Sequence, residues 1–186
     1  MQVLTWYTKN SLCRPVCWGF DMEPLKSLRL EAVDSSLEKA KHYRLLNDPE
    51  NAESICLDII ELVPDHQEAL VTLILSLTDQ FDGSSAHTKE AKQYMERLAS
   101  EYDREYYAGL IYERAAKSML TRNKPEINFA AYDRFRIAME HFEKAEKMSS
   151  DENDDAVLRW NSCARIIAKR NLKPRPDDNY VPYGDA

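Results

Sequence analysis

The sequence predicts an all-α protein, built as a solenoid of antiparallel helix hairpins. Only 4 of its 186 residues are glycine, about 2% against a usual share near 7%, which leaves too few turn residues for a many-stranded sandwich or barrel. Apolar residues recur with helical spacing in one segment after another. Short breaks separate these segments, and the helix pairs recur at about 34 residues, which is typical of stacked helix hairpins.

The first helix pair is predicted from its start and stop signals. Ser35 and Glu38 have the spacing of a capping box, so we expect a helix over about 35–46. Residues 47–49 (Asn-Asp-Pro) then supply a stop, an N-cap and a first-turn proline. The second helix is expected to end at Pro64, and its apolar face consists of Ala52, Ile55, Cys56, Ile59, Ile60 and Val63.

The second pair follows the same pattern. Asp65 and Glu68 have the spacing of a capping box and predict the start of the third helix. Residues 82–85 (Asp-Gly-Ser-Ser) predict a break after this helix. The apolar residues of the third helix are Leu70, Leu73, Ile74 and Leu77, and those of the fourth are Ala91, Tyr94, Met95 and Leu98.

The second half of the chain predicts longer helices. One is expected over about 103–121, where one apolar stripe persists and a neighbouring stripe ends at Glu113, so that side is expected to turn toward solvent or a partner. A turn at 123–125 and an acidic link at 149–155 bound the next helix. The apolar residues of these last two helices are Phe129, Tyr132, Phe135, Ile137, Ala138, Phe142 and Ala145, then Val157, Trp160, Ala164 and Ile167.

Both ends of the chain differ from this helical region. Residues 1–21 lack helical periodicity and carry charges where a signal peptide would be apolar, so we predict an irregular arm, and whether it belongs to the native protein stays open. Met22 precedes Glu23 and Pro24, which favour a helix start, so the helical domain is predicted over 22–170. Residues 171–186 contain three prolines and are expected to be extended and mobile.

Charge and cysteine content exclude several classes of function. A net charge of −7 without a long basic run argues against nucleic acid, and no apolar stretch is long enough to span a membrane. Cys13 and Cys17 lack further ligands nearby, so no metal is expected. All four cysteines are expected to be reduced, which suits the cytoplasm.

The spacing of several small and aromatic residues resembles the tetratricopeptide repeat (TPR) family. Residues 33–66 resemble one whole repeat, because Ala40, Tyr43, Ala52 and Pro64 have the family's separations, although Lys39 and Ile59 depart from its usual Leu and Ala. Residues 67–102 resemble a second repeat. A third repeat is stretched by an insertion of about 17 residues, and the residues that match it are Gly109, Tyr112, Ala138, Phe142 and Ala145. Trp160 and Ala164 resemble the start of a capping helix.

This resemblance covers roughly residues 33–168 and implies a right-handed solenoid of about three repeats plus a capping helix. It also implies a concave face lined by the first helix of each repeat. The function it implies is that of a non-enzymatic adaptor binding a peptide or helix segment of another protein. The residues it places on that face are Leu37, Lys41, Arg44, Val71, Leu75, Thr78, Tyr106, Leu110 and Glu113.

Alternative functions stay open at this point. No catalytic or phosphate-binding motif occurs, and no cofactor is expected. The chain could still be a small cytoplasmic secretion-type chaperone, a homo-oligomer, or a protein whose own tail residues 180–183 occupy the groove. An enzyme subunit would have its site in the inserted 113–141 region, where the candidate residues are Glu113, Arg114, Arg122, Lys124, Arg134 and His141.

Overall fold

The computed structural model describes residues 24–81, 86–122, 125–150 and 152–176. Within these ranges the chain forms seven α-helices, two short 3-10 turns and no β-strand, which confirms the all-α prediction. The predicted arm 1–21 and the last ten residues of the predicted tail lie outside the described residues. The helices are α1 (Val33–Leu45), α2 (Pro49–Leu62), α3 (Gln67–Asp79), α4 (Ala86–Met95), α5 (Glu101–Met119), α6 (Pro125–Met148) and α7 (Asp155–Arg170).

The start of α1 differs from the sequence-based prediction. Residues 24–29 are not helical, and α1 is entered from a 3-10 turn at Leu30–Ala32. Ser35 therefore lies inside the helix, and its hydroxyl donates to the Ala32 carbonyl at 3.1 Å. The predicted capping box at Ser35 is wrong because the preceding 3-10 turn has already begun the helical winding.

Side-chain caps position the next two helices. The Asp48 carboxylate accepts a hydrogen bond from the Asn51 amide at 3.4 Å, which confirms the predicted start of α2. At α3, the Nδ1 atom of His66 accepts from the Ala69 amide at 3.3 Å. The predicted cap at Asp65 is wrong by one residue, because α3 begins at Gln67 and only its immediate predecessor can reach the free amides of the first turn.

The odd-numbered helices contact one another in sequence order. Each helix packs against the next one along the chain, and α1 also touches α3, α3 touches α5, and α5 touches α7. We call α1, α3, α5 and α7 the odd-helix layer. Because short connections make consecutive helices antiparallel, the helices of this layer run in the same direction. This packing is consistent with a helical repeat.

Two hydrophobic clusters form the interior. The first core involves α1 to α4 together with Ile111 of α5, and it consists mainly of aliphatic side chains, including Leu37, Ile59 and Leu73. The second core involves α5 to α7 and includes Phe135 and Phe142 with several half-buried tyrosines at its edge.

The contact between α5 and α6 depends on Gly109. A Cβ atom at this position would lie 2.7 Å from the Phe142 ring, so any larger residue would displace the ring or separate the helices. Gly109 was predicted as the small residue of the third hairpin and Phe142 as an apolar residue of its second helix. The structure brings these two positions into direct contact.

A left-handed residue ends α7. Asn171 has φ 50°, and the Leu172 amide donates back to the Ile167 carbonyl at 3.0 Å, as in a Schellman motif. Leu172 is buried in the second core. The first residues of the predicted tail are therefore anchored to the domain at Leu172, while 173–176 are exposed.

Candidate functional site

The nine residues predicted for the concave face all lie on α1, α3 and α5 of the odd-helix layer. Four of them are buried in the structure, namely Leu37, Thr78, Leu110 and Glu113. The accessible members of the predicted set are Lys41, Arg44, Val71, Leu75 and Tyr106, which are partly buried.

The burial of Leu110 and Glu113 has a specific cause. The expectation that this side of α5 turns toward solvent or a partner is wrong, because α6 and α7 of the same domain pack there. Leu110 belongs to the second core, and Glu113 interacts with Arg159 of α7. The apolar stripe on this side of α5 ends at Glu113, so apolar spacing alone does not predict the contact of Glu113 with α7.

An ionic chain connects three helices of the odd-helix layer. The Asp79 carboxylate of α3 pairs with Arg44 of α1 at 2.8 Å and also with Arg114 of α5. Arg114 additionally donates to the Thr78 hydroxyl at 2.8 Å. Asp79 is not among the residues predicted from the sequence, although each arginine lies 35 residues from it, close to the repeat period. A search for charged residues separated by the repeat period would identify Asp79 from the sequence.

A second ion pair between α1 and α3 is more exposed. The ammonium group of Lys41 is 2.9 Å from both Glu38 and Glu68. Hydrogen bonds to Glu38 and Glu68 raise the pKa of Lys41, and the bond from Lys41 lowers the pKa of Glu68. Because all three groups face solvent, this cluster contributes little to the free energy of unfolding. It places charged groups at the edge of the odd-helix layer.

Glu113 forms a buried ionic cluster between α5 and α7. Its side chain is fully buried, with one carboxylate oxygen bonded to Lys117 and the other 3.6 Å from Arg159 without a hydrogen bond. Burial raises the pKa of the neighbouring Cys163 thiol to about 12, so this thiol is protonated at neutral pH. The two cations stabilise the Glu113 carboxylate, and the cluster contains no activated thiolate.

The tyrosines of α5 link the second core to α7. The rings of Tyr102 and Tyr106 stack at 5.9 Å, and Tyr106 also contacts Tyr107 edge-on at 5.2 Å. The Tyr106 hydroxyl accepts from Arg159 at 3.4 Å, and the Tyr102 hydroxyl accepts from Asn153 at 2.9 Å. Burial raises the pKa of Tyr107 to about 12. These rings therefore pack within the domain while Tyr102 and Tyr106 keep part of their surface accessible.

The residues of the alternative 113–141 site contact different partners. Arg134 donates to the Met119 sulfur at 2.9 Å, while His141 pairs with Glu105 at 2.6 Å. Glu140, which precedes His141 in the sequence, is exposed and is not its partner. Lys124 lies outside the described residues. Among the residues that can be described, no group of His, Cys, Asp or Glu has an arrangement suited to a metal ion.

Comparison with known proteins gives no family assignment. No protein-family model matches the chain, and no curated protein matches it. Across the described ranges, none of the helices has the length and apolar character needed to cross a membrane.

Proposed function

We propose that this protein is a cytoplasmic, non-enzymatic adaptor of the TPR type, a right-handed solenoid of about three repeats plus a capping helix. The observation that carries the proposal is the continuous row of α1, α3, α5 and α7. Asp79 supports the repeat register, because it pairs with residues 35 positions away in both directions. Gly109 against Phe142 matches the small-to-large contact expected inside one hairpin.

The accessible side chains of the odd-helix layer suit a peptide ligand. Val71, Leu75 and Tyr106 are partly exposed and supply apolar contact area. Lys41 and Glu68 provide charges of both signs beside them. An apolar strip with a charged rim fits an amphipathic helix or an extended segment that inserts apolar side chains and pairs its polar groups at the edge.

A selection of random displayed peptides on the full chain tests this proposal. Peptides recovered with the wild type are titrated against a Val71→Asn/Tyr106→Ala variant whose helix content is first verified by circular dichroism. We expect about thirtyfold weaker binding or more, since removing two interface anchors costs roughly 1–2 kcal/mol each.

The control variant is Leu57→Asn, which changes an exposed apolar residue on α2, outside the odd-helix layer. Its affinity for the same peptides should equal that of the wild type. Equal affinities for all three proteins, or weakening by Leu57→Asn alone, would show that the odd-helix layer is not the binding surface.

A further inference from the structure

A cationic cleft lies between the carboxyl-terminal ends of α5 and α7. Its volume is about 300 Å³, and both helices contribute to its walls. Leu120 and Ile166 supply apolar surface, and three cations and a hydroxyl surround it. The lining residues are Lys117, Leu120, Thr121, Ile166, Lys169 and Arg170.

The cleft carries more positive charge than its surroundings neutralise. Lys117 and Arg159 share the single carboxylate of Glu113. Lys169 and Arg170 form no ion pair with any other described residue. Of the three cations that line the cleft, Lys117 is paired with Glu113, which leaves Lys169 and Arg170 as two uncompensated positive charges. An occupant with two negative charges would therefore complement this cleft.

The chain leaves α7 beside this cleft. The Schellman turn at Asn171 reverses its direction, and Leu172 is held in the second core. Leu120 and Ile166 of the cleft pack against the same core. The residues that follow Leu172 therefore start from a fixed point near the cleft.

We propose that residues 177–183 (Asp-Asp-Asn-Tyr-Val-Pro-Tyr) dock in this cleft. Asp177 and Asp178 provide the two negative charges, and six residues from Leu172 to Asp178 span at most roughly 20 Å, enough to return to the end of α7. Pro174 and Pro176 restrict the connecting backbone, which lowers the entropy lost on docking. The apolar Tyr180 or Val181 contacts the surface of Leu120 and Ile166. This proposal does not depend on peptide binding by the odd-helix layer.

Methyl NMR of the full chain tests the docked segment by a double-mutant cycle. The Asp177→Asn/Asp178→Asn variant should shift the Leu120 and Ile166 methyl resonances and lower the backbone heteronuclear NOE of residues 178–181 and 183. In a Lys169→Gln/Arg170→Gln background the same aspartate substitutions should have no further effect. Unchanged methyl resonances, or equal shifts in both backgrounds, would overturn the proposal.

Two further measurements separate the internal segment from other occupants. Arg165→Gln, an exposed cation of α7 outside the cleft, is the matched control and should leave the NOE values of the segment unchanged. A synthetic peptide of residues 175–184 is then added to the wild type and to Asp177→Asn/Asp178→Asn. Binding should be about tenfold tighter to the variant, because its own segment no longer competes. Equal affinities would overturn internal docking and assign the cleft to acidic segments of other chains.

Discussion

The two halves of the domain use the same arrangement of helices with different side chains. In the first core, α1 to α4 are 10–14 residues long and pack mainly through Leu, Ile, Val and Ala. In the second core, α5 to α7 are 16–24 residues long and pack through Phe, Tyr and Trp as well. A difference in helix length is therefore accompanied by a difference in side-chain volume.

The longer helices of the second core carry larger side chains. Each aromatic side chain buries roughly 150–250 Å², so the rings supply much of the apolar contact among α5, α6 and α7. Large rings require small partners, and Gly109 opposite Phe142 meets this requirement. In the first core the corresponding small residue of α1 is Ala40, which is fully buried among aliphatic neighbours.

The largest expected effect is the loss of the Phe142 ring. Phe142→Ala should destabilise the protein by about 3–5 kcal/mol, because the ring is fully buried and α5 and α6 cannot close the cavity. Leu73→Ala in the first core should cost less, about 2–4 kcal/mol. Urea unfolding followed by circular dichroism measures both. A smaller loss for Phe142→Ala than for Leu73→Ala would show that the aromatic core is loosely packed.

An intermediate effect is expected at Gly109. At an unobstructed helical position Gly→Ala stabilises by roughly 1 kcal/mol, so the sign of the change is diagnostic. Because the new Cβ would meet Phe142 at 2.7 Å, we expect Gly109→Ala to destabilise by about 1–3 kcal/mol.

The Phe142→Leu background provides the control for Gly109. A leucine removes the ring edge that the new methyl group would meet, so Gly109→Ala should cost less there than in the wild type. Thermal unfolding of the four proteins gives the coupling. Stabilisation by Gly109→Ala in the wild-type background would contradict the close contact between α5 and α6.

Local sequence signals predicted the helices well. Apolar periodicity marked six of the seven segments, α1 was predicted from its start and stop signals, and Asp48 with the following proline fixed the start of α2. Caps were predicted less well where several candidates adjoin, as at Asp65 and His66. A cap depends on where the first helical residue lies, and tertiary packing shifts that position by a residue or two.

The candidate site was harder to predict because it depends on contacts between distant residues. The resemblance to the repeat family assigned each site residue to the first helix of a hairpin, but the burial of Leu110 and Glu113 depends on α7, which begins more than 40 residues later. Asp79 was missed because a single aspartate at a helix end resembles any solvated residue. Its two arginine partners become recognisable only when the repeat period is applied to charged positions as well as to apolar ones.

The smallest of the three effects concerns the connection between the two halves. Asp79 lies on α3 of the first half and holds both Arg44 and Arg114, the second of which belongs to α5. Asp79→Asn keeps the shape of the side chain but removes the negative charge that Arg44 and Arg114 share, so the two guanidinium groups lose their common partner. Since these side chains are about one-quarter exposed, we expect a loss of only about 1 kcal/mol.

The exposed Lys41 pair supplies the comparison for Asp79. Glu68→Gln removes a partner of Lys41 between the same helices α1 and α3, yet this pair is more exposed to solvent, so its cost should be smaller than that of Asp79→Asn. Added salt should reduce the loss for Asp79→Asn only partly, because partial burial limits screening. If Asp79→Asn and Glu68→Gln were equally mild at low salt, the ionic chain would not couple the two halves, and the apolar contact of α3 with α5 alone would hold them together.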